Sequence, residues 1–252
     1  MMLEILTSDM LQPLAHGFFT RRGGASSGVF AGLNCGYGSS DQNDIVRINR
    51  DRAADALEIA PEALVGVEQI HSAEVVTVHG DRGEDLPRAD AMVTREPGRA
   101  LAILTADCMP VLLADAEAGV VGAAHAGWRG ARAGVIEATI DAMVELGARR
   151  KEISAAIGPC ISQSAYEVGP DMMDEIVGDD FEYTQFFAQG DGDRVHFDLA
   201  GYGLQRLRDA GIGAAEWLRH CTYSDERRFF SYRRSVHRRE ADYGRLISVI
   251  RA

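Results

Sequence analysis

Short apolar runs and alternating stretches dominate the first half of the chain. Residues 3–7 and 16–20 read as strands, and further strands are predicted at 63–70, 74–79, 89–94, 100–105, 111–115 and 119–125. Several of these runs are apolar at every position, the pattern of strands buried on both faces. Between residues 21 and 40 lies a glycine-rich polar stretch, RRGGASSGVFAGLNCGYGSS, of a length that in compact folds goes with function or mobility. Residues 41–60 read as a helix with Ile45, Ile48 and Leu57 along one side and Pro61 as its stop. The clearest helical period runs over 131–146, where Ile136, Ile140, Met143 and Val144 share a face and Gly147 ends the element. A strand at 152–157 runs into Gly158-Pro159, and helices at 170–177 and 198–209 are then mixed with strands at 214–218 and 246–250. Without strict strand–helix alternation, the pattern favours a layered α+β fold over a Rossmann sheet or a barrel. Neither G-x-G-x-x-G nor G-x-x-x-x-G-K-[ST] occurs, which removes the main support for a dinucleotide or P-loop site.

At 252 residues the chain suits one large domain or two small ones. Acids outnumber bases by 38 to 26, and a net charge of -12 disfavours nucleic acid and anionic membranes as partners. The N-terminal MMLEILTSDM has neither a basic start nor a long apolar stretch, and no apolar run approaches a membrane span. Cys35, Cys108, Cys160 and Cys221 are scattered and form no C-x-x-C pair, so reduced thiols and a cytoplasmic location are expected. A homodimer is compatible with the sequence, although no exposed apolar stripe calls for one.

Three segments place reactive side chains at predicted strand ends. In Glu68-Gln69-Ile70-His71 a histidine closes a strand. In Thr105-Ala106-Asp107-Cys108-Met109-Pro110 a thiol lies between two apolar strands, with Pro110 expected to break the ladder and turn it outward. In Ala124-His125-Ala126-Gly127-Trp128-Arg129-Gly130 a strand runs through glycines into a helix. Free N–H groups at that helix start, close backbone approach at Gly127 and the forked cation of Arg129 would suit a phosphate or carboxylate. The thiol and two histidines support two chemistries. They could form a Cys–His nucleophile assisted by Asp107, as in an amidase or deamidase. They could equally be three ligands of a zinc ion with an open fourth position.

The segments Thr20-Arg21-Arg22-Gly23-Gly24, Leu33-Asn34, Gln69-Ile70-His71, Ala89-Asp90-Ala91, Thr105-Ala106-Asp107-Cys108-Met109-Pro110, His125-Ala126-Gly127-Trp128-Arg129-Gly130, Ile157-Gly158-Pro159-Cys160-Ile161 and Phe230-Ser231-Tyr232-Arg233-Arg234 resemble, in order and nearly end to end, the YfiH family. It is also called the laccase-domain or polyphenol oxidase-like family, and includes purine nucleoside phosphorylases. The resemblance implies one layered α/β/β/α domain over residues 1–252, related in fold to the deamidase of cytotoxic necrotizing factor toxins. It implies a zinc site on His71, Cys108 and His125, phosphorolysis of adenosine, inosine and methylthioadenosine, and deamination of adenosine as a side activity. Family names also record copper-dependent polyphenol oxidation, and one branch is linked to peptidoglycan-precursor editing. No two of the seven histidines stand at i, i+2, so a multicopper cluster on H-x-H pairs cannot be assembled, and zinc is preferred to copper. On this reading Arg129 and Arg21 hold phosphate, Gly127 and Asn34 complete the substrate site, and Asp107 either shuttles a proton or braces backbone N–H groups. The chain departs from the family pattern after Arg234, where Ser235 replaces an acidic residue and SVHRREADYGR replaces a threonine-rich approach to Gly244-Arg245.

Overall fold

Alternation along the predicted strands is resolved into two stacked sheets. The computed structural model describes residues 2–80 and 86–252. One sheet has the order β1 (Ile5–Leu6), β2 (His16–Phe19), β14 (Leu246–Arg251), β6 (Ala100–Thr105), β3 (Leu64–Val65). The other has the order β13 (Ala214–Trp217), β9 (Ser154–Ile157), β7 (Met109–Asp115), β8 (Val120–Ala126), β5 (Ala91–Thr94), β4 (Val75–Thr77). Both mix parallel and antiparallel neighbours: β14 runs antiparallel to β6, whereas β3 runs parallel to it. The helices are α1 (Asn43–Ala56), α2 (Trp128–Ala133), α3 (Val135–Glu145), α4 (Pro170–Val177), α5 (Leu199–Asp209) and α6 (Tyr232–Arg238).

Successive side chains on a strand face opposite ways, and here each face has its own core. Leu101 and Ile103 of β6 pack with Leu112 of β7 and Val121 and Ala123 of β8 in the layer between the sheets. Ala100 and Ala102 turn outward against Ala53 and Ala54 of α1. Val111, Leu113, Val120 and Ala124 turn outward against Ile136, Ile140 and Met143 of α3 and Tyr202 of α5. The result is the expected α/β/β/α layering, and it explains why β7 and β8 are buried at every residue. No helix among the described residues is long and apolar enough to cross a membrane.

Several local expectations are revised. The helix expected over 131–146 is two helices separated by Gly134, whose φ of +97 is left-handed backbone that glycine tolerates. The segment after His125 therefore opens a six-residue helix, not the long one. The buried side of α1 is Val46, Asn49, Ala53 and Ala54, while Ile45, Ile48 and Leu57 are only half-buried. Small residues let α1 lie close to its sheet, and Asn49 ties down the glycine-rich stretch by accepting from Ala25 N–H at 2.7 Å and donating to the Asn34 carbonyl at 2.8 Å. The strand expected over 63–70 shrinks to Leu64–Val65. Pro110 does not break the ladder: it stands opposite His125 on β8, and its carbonyl accepts from Gly158 N–H at 2.9 Å. A third sheet, β10 (Glu167–Val168), β12 (Val195–Phe197), β11 (Phe187–Gln189), and helix α6 were not anticipated, because two- and three-residue strands carry no readable period.

Candidate metal centre

The chain leaves the first sheet at Thr105 and enters the second at Met109, so Cys108 lies on the three-residue corner that joins the layers. Asp107 takes a φ of +87 there, a strained value for a residue with a side chain. Its carboxylate holds the corner in place: Thr222 Oγ1 donates to Oδ1 at 2.6 Å, and Ser231 Oγ and Arg233 N–H donate to Oδ2 at 2.9 and 2.6 Å. Burial pushes this carboxyl above its ordinary range, against the pull of those three donors.

His125 shares a face with Ala123 by strand alternation, which places it on the inter-sheet side near the end of β8. His71 approaches from the segment after Glu68, with a φ of +61. One buried residue organises both histidines. Asp90 Oδ1 accepts from His125 Nδ1 at 2.8 Å and from His71 N–H at 2.9 Å; Oδ2 accepts from the N–H groups of Ile70 and Ser72 at 3.1 and 2.6 Å and from Ser72 Oγ at 2.9 Å. Burial would raise this carboxyl, but the bonds from His125 and Ser72 hold it well below the ordinary carboxylate range. With the Nδ1 proton committed to Asp90, His125 turns Nε2 toward Cys108, and deprotonation there would free the lone pair that a metal needs.

The donor atoms of His71, Cys108 and His125 all lie within 4.8 Å of one another, and Cys108 Sγ is 4.0 Å from His71 Nε2. The His71 and His125 rings meet edge to face at 4.7 Å. Tetrahedral zinc with ordinary bond lengths would set a sulfur–nitrogen separation of roughly 3.5 Å, so binding would draw Cys108 and His71 together by roughly half an ångström and the most widely spaced donors by roughly one. One thiolate and two imidazoles are a fitting donor set for such an ion, with a fourth position left over. The charges agree. Burial raises the Cys108 thiol, but His125 and His71 outweigh it and bring it down to about 7. Burial lowers His125, but Cys108 and Asp90 outweigh it and bring it up to about 9.

Gly127 is required here for space. A Cβ on it would stand 2.9 Å from Cys108 Sγ and 3.1 Å from His71 Cδ2. Gly127→Ala is therefore expected to weaken metal binding by roughly 10-fold or more, the scale of a disturbed ligand shell, while leaving thermal stability within a few degrees. A competition titration with a chromogenic chelator measures it, and wild-type affinity would show that the two ligands do not need that space.

The trio opens onto a cavity of about 520 Å³ whose other walls include Tyr37, Leu104, Arg50 and Arg245. On its other side His71 borders a second concavity lined by Trp128, Arg129 and Arg132. Arg132 is engaged by Asp179 and Glu175 at 2.6 and 2.8 Å, whereas the exposed Arg129 lies over the Trp128 ring at 4.5 Å. Two expected substrate contacts are placed elsewhere. Asn34 is fully buried and spends its amide on Ser39, Asp41, Gly36 and Arg245, bracing the glycine-rich stretch. Arg21 donates to the carbonyls of Ala31 and Glu226, covers the Phe230 ring at 4.2 Å and is absent from both concavities beside the trio. Asp90 was missed as a functional residue. Its signal was an acid between Ala89 and Ala91 in an apolar run, since an unpaired carboxylate is almost never buried.

Residues 15–252 match the family described as multi-copper polyphenol oxidoreductase laccase. A purine nucleoside phosphorylase of Deinococcus radiodurans is 41% identical over 93% of this chain and 88% of its own. One of Streptomyces coelicolor is 45% identical over 87% of this chain and 93% of its own. Among solved structures, a Neisseria meningitidis protein of the DUF152 family superposes with a TM-score of 0.87 at 33% identity, covering 99% of this chain and 98% of its own. The Bacillus licheniformis protein YfiH gives 0.87 at 31% identity, covering 94% and 91%.

Proposed function

The chain belongs to the laccase-like YfiH/DUF152 family, and on that premise we propose that it is a purine nucleoside phosphorylase with a zinc ion held by His71, Cys108 and His125. The observation that carries the proposal is the juxtaposition of this donor trio with a nucleoside-sized cavity, in a chain similar along most of its length to proteins named for that activity. Adenosine, inosine and methylthioadenosine are the proposed substrates, with deamination of adenosine to inosine as a side activity.

Phosphorolysis breaks the bond between ribose C1′ and the purine nitrogen and joins a phosphate oxygen to C1′. The cavity offers Tyr37 as a flat aromatic wall for the purine and Leu104 as an apolar one that excludes water. Arg129 presents a permanent, unsequestered cation on the other side of His71, where it orients phosphate. Asp90 keeps the His125 proton on Nδ1 and fixes the His71 segment. A zinc ion held by the trio supplies Lewis-acid polarisation. Asp107, committed to Thr222, Ser231 and Arg233, acts in this scheme as the brace of the Cys108 corner rather than as a proton carrier.

Purified protein with stoichiometric zinc, incubated with adenosine and phosphate, is expected to yield adenine and ribose 1-phosphate by chromatography, and nothing comparable without phosphate. Absence of both products would sink the proposal. The thiol brought down to about 7 beside a raised imidazole favours a second reading, a Cys–His amidase or deamidase. It predicts inactivation by thiol alkylation and indifference to chelators, whereas the zinc enzyme is inactivated by chelation and restored by the metal.

A further inference from the structure

Two cysteines take no part in the metal centre and stand opposite each other. Beyond the parallel pair β9 and β13, Cys160 and Cys221 form an isolated parallel bridge. Cys160 N–H donates to the His220 carbonyl at 3.2 Å, and Thr222 N–H donates to the Cys160 carbonyl at 3.0 Å. Neighbouring strands lie about 4.7–4.9 Å apart, inside the roughly 4.4–6.8 Å Cα window of a disulfide, and paired residues of parallel strands project to one side.

The two thiols differ in a complementary way. Cys221 is half-buried, and its sulfur accepts from Ser162 N–H at 3.4 Å, Ser162 Oγ at 3.0 Å and Ser224 Oγ at 3.3 Å. Three donors aimed at one sulfur favour the thiolate, and they bring this thiol below its ordinary value against the effect of burial. Cys160 is fully buried, and its thiol is pushed up by burial and by the neighbouring Cys221. By contrast Cys35, buried and with no donor to its sulfur among the described residues, is an inert thiol pushed up to about 12 by burial.

We propose that Cys221 is a peroxide-reactive thiol and Cys160 its resolving partner, so that the pair closes into a reversible disulfide. In the first step the Cys221 thiolate attacks one oxygen of hydrogen peroxide; the O–O bond breaks, and the other oxygen leaves as hydroxide and takes a proton to become water. Cys221 is then a sulfenic acid. In the second step the Cys160 sulfur attacks the Cys221 sulfur, the S–O bond breaks, and the departing hydroxide takes the Cys160 proton as a second water. Two thiols are oxidised by two electrons and one peroxide is reduced to two waters. The resolving step is internal, so burial of Cys160 is no obstacle to it.

The test treats the purified full chain with hydrogen peroxide, alkylates the remaining thiols and maps the digest by mass spectrometry. A linked Cys160–Cys221 peptide is expected, lighter by two hydrogens than its reduced parts, removed by a phosphine reductant and absent from Cys221→Ser. In Cys160→Ala the reaction is expected to stop at a Cys221 sulfenic acid, trapped by dimedone. Oxidation confined to Cys108, or a fully alkylated Cys221 after treatment of the wild-type chain, would overturn the proposal without bearing on the phosphorylase assignment.

Discussion

Cys108→Ala is expected to abolish metal binding and product formation together. The thiolate is the one anionic donor of the trio, and the two imidazoles left behind fall short of the three protein ligands that a catalytic zinc site uses. The loss of metal affinity should exceed the roughly 10–100-fold that removal of an outer-shell partner costs. Folding is expected to survive, because the corner that carries Cys108 is held by Asp107 and not by the thiol. Elemental analysis and the phosphorolysis assay on the same preparation decide the matter, and a variant that keeps stoichiometric zinc refutes the ligand assignment. The wild-type protein adds a pH test. Metal binding displaces protons from a thiol at about 7 and an imidazole at about 9. Affinity should therefore fall as pH drops from about 9, and fall more steeply below about 7.

Asp90 carries the second large effect, and two substitutions separate its roles. Asp90→Ala leaves the His125 Nδ1 proton and the N–H groups of residues 70–72 without their acceptor in a buried place. Breaking such a buried pair costs about 3–5 kcal/mol, a fall of roughly 10 °C in melting temperature for a chain of this size. Asp90→Asn keeps the volume but turns one acceptor oxygen into a donor. Facing His125, the new amide drives the imidazole proton to Nε2, away from the tautomer that binds a metal. Facing Ile70 and Ser72, it repels the segment that places His71. Either way metal affinity should drop by roughly 10–100-fold. The raised titration of His125, followed by NMR in metal-free protein, should move down. A variant with wild-type affinity and an unmoved His125 would leave Asp90 as ordinary packing. The acid limb has a definite sign. The carboxyl is depressed in the folded state, so its stabilisation is complete above the unfolded value of about 3.9 and is lost as pH falls below it. The stability gap between wild type and Asp90→Asn should narrow there.

The proposed metal ligands could be picked out in the chain because the segments around His71, Cys108 and His125 are compact, ordered and unusual in composition. The environment that activates them was not. Asp90 gains its meaning only where the segment after Glu68, the start of β5 and the end of β8 meet. Asp107 looked like a reactive acid beside a reactive thiol, yet its carboxylate belongs to Thr222, Ser231 and Arg233, more than a hundred residues away. Arg21 and Asn34 fell in equally recognisable segments, and their hydrogen bonds go to neighbouring loops, which no local pattern announces.

Apolar runs and their alternation determined that buried strands would be covered on both faces, because a strand apolar at every residue has no side to give to water. That is a local property, and it sufficed for the layered α+β architecture. Which strands share a sheet was decided by tertiary structure. β6 and β7 are separated by three residues yet lie in different sheets, and this crossing is what brings Cys108 between two histidines. The facing of Cys160 and Cys221 and the commitment of Asp107 likewise depend on partners far away in the chain, and no local pattern encodes those partners.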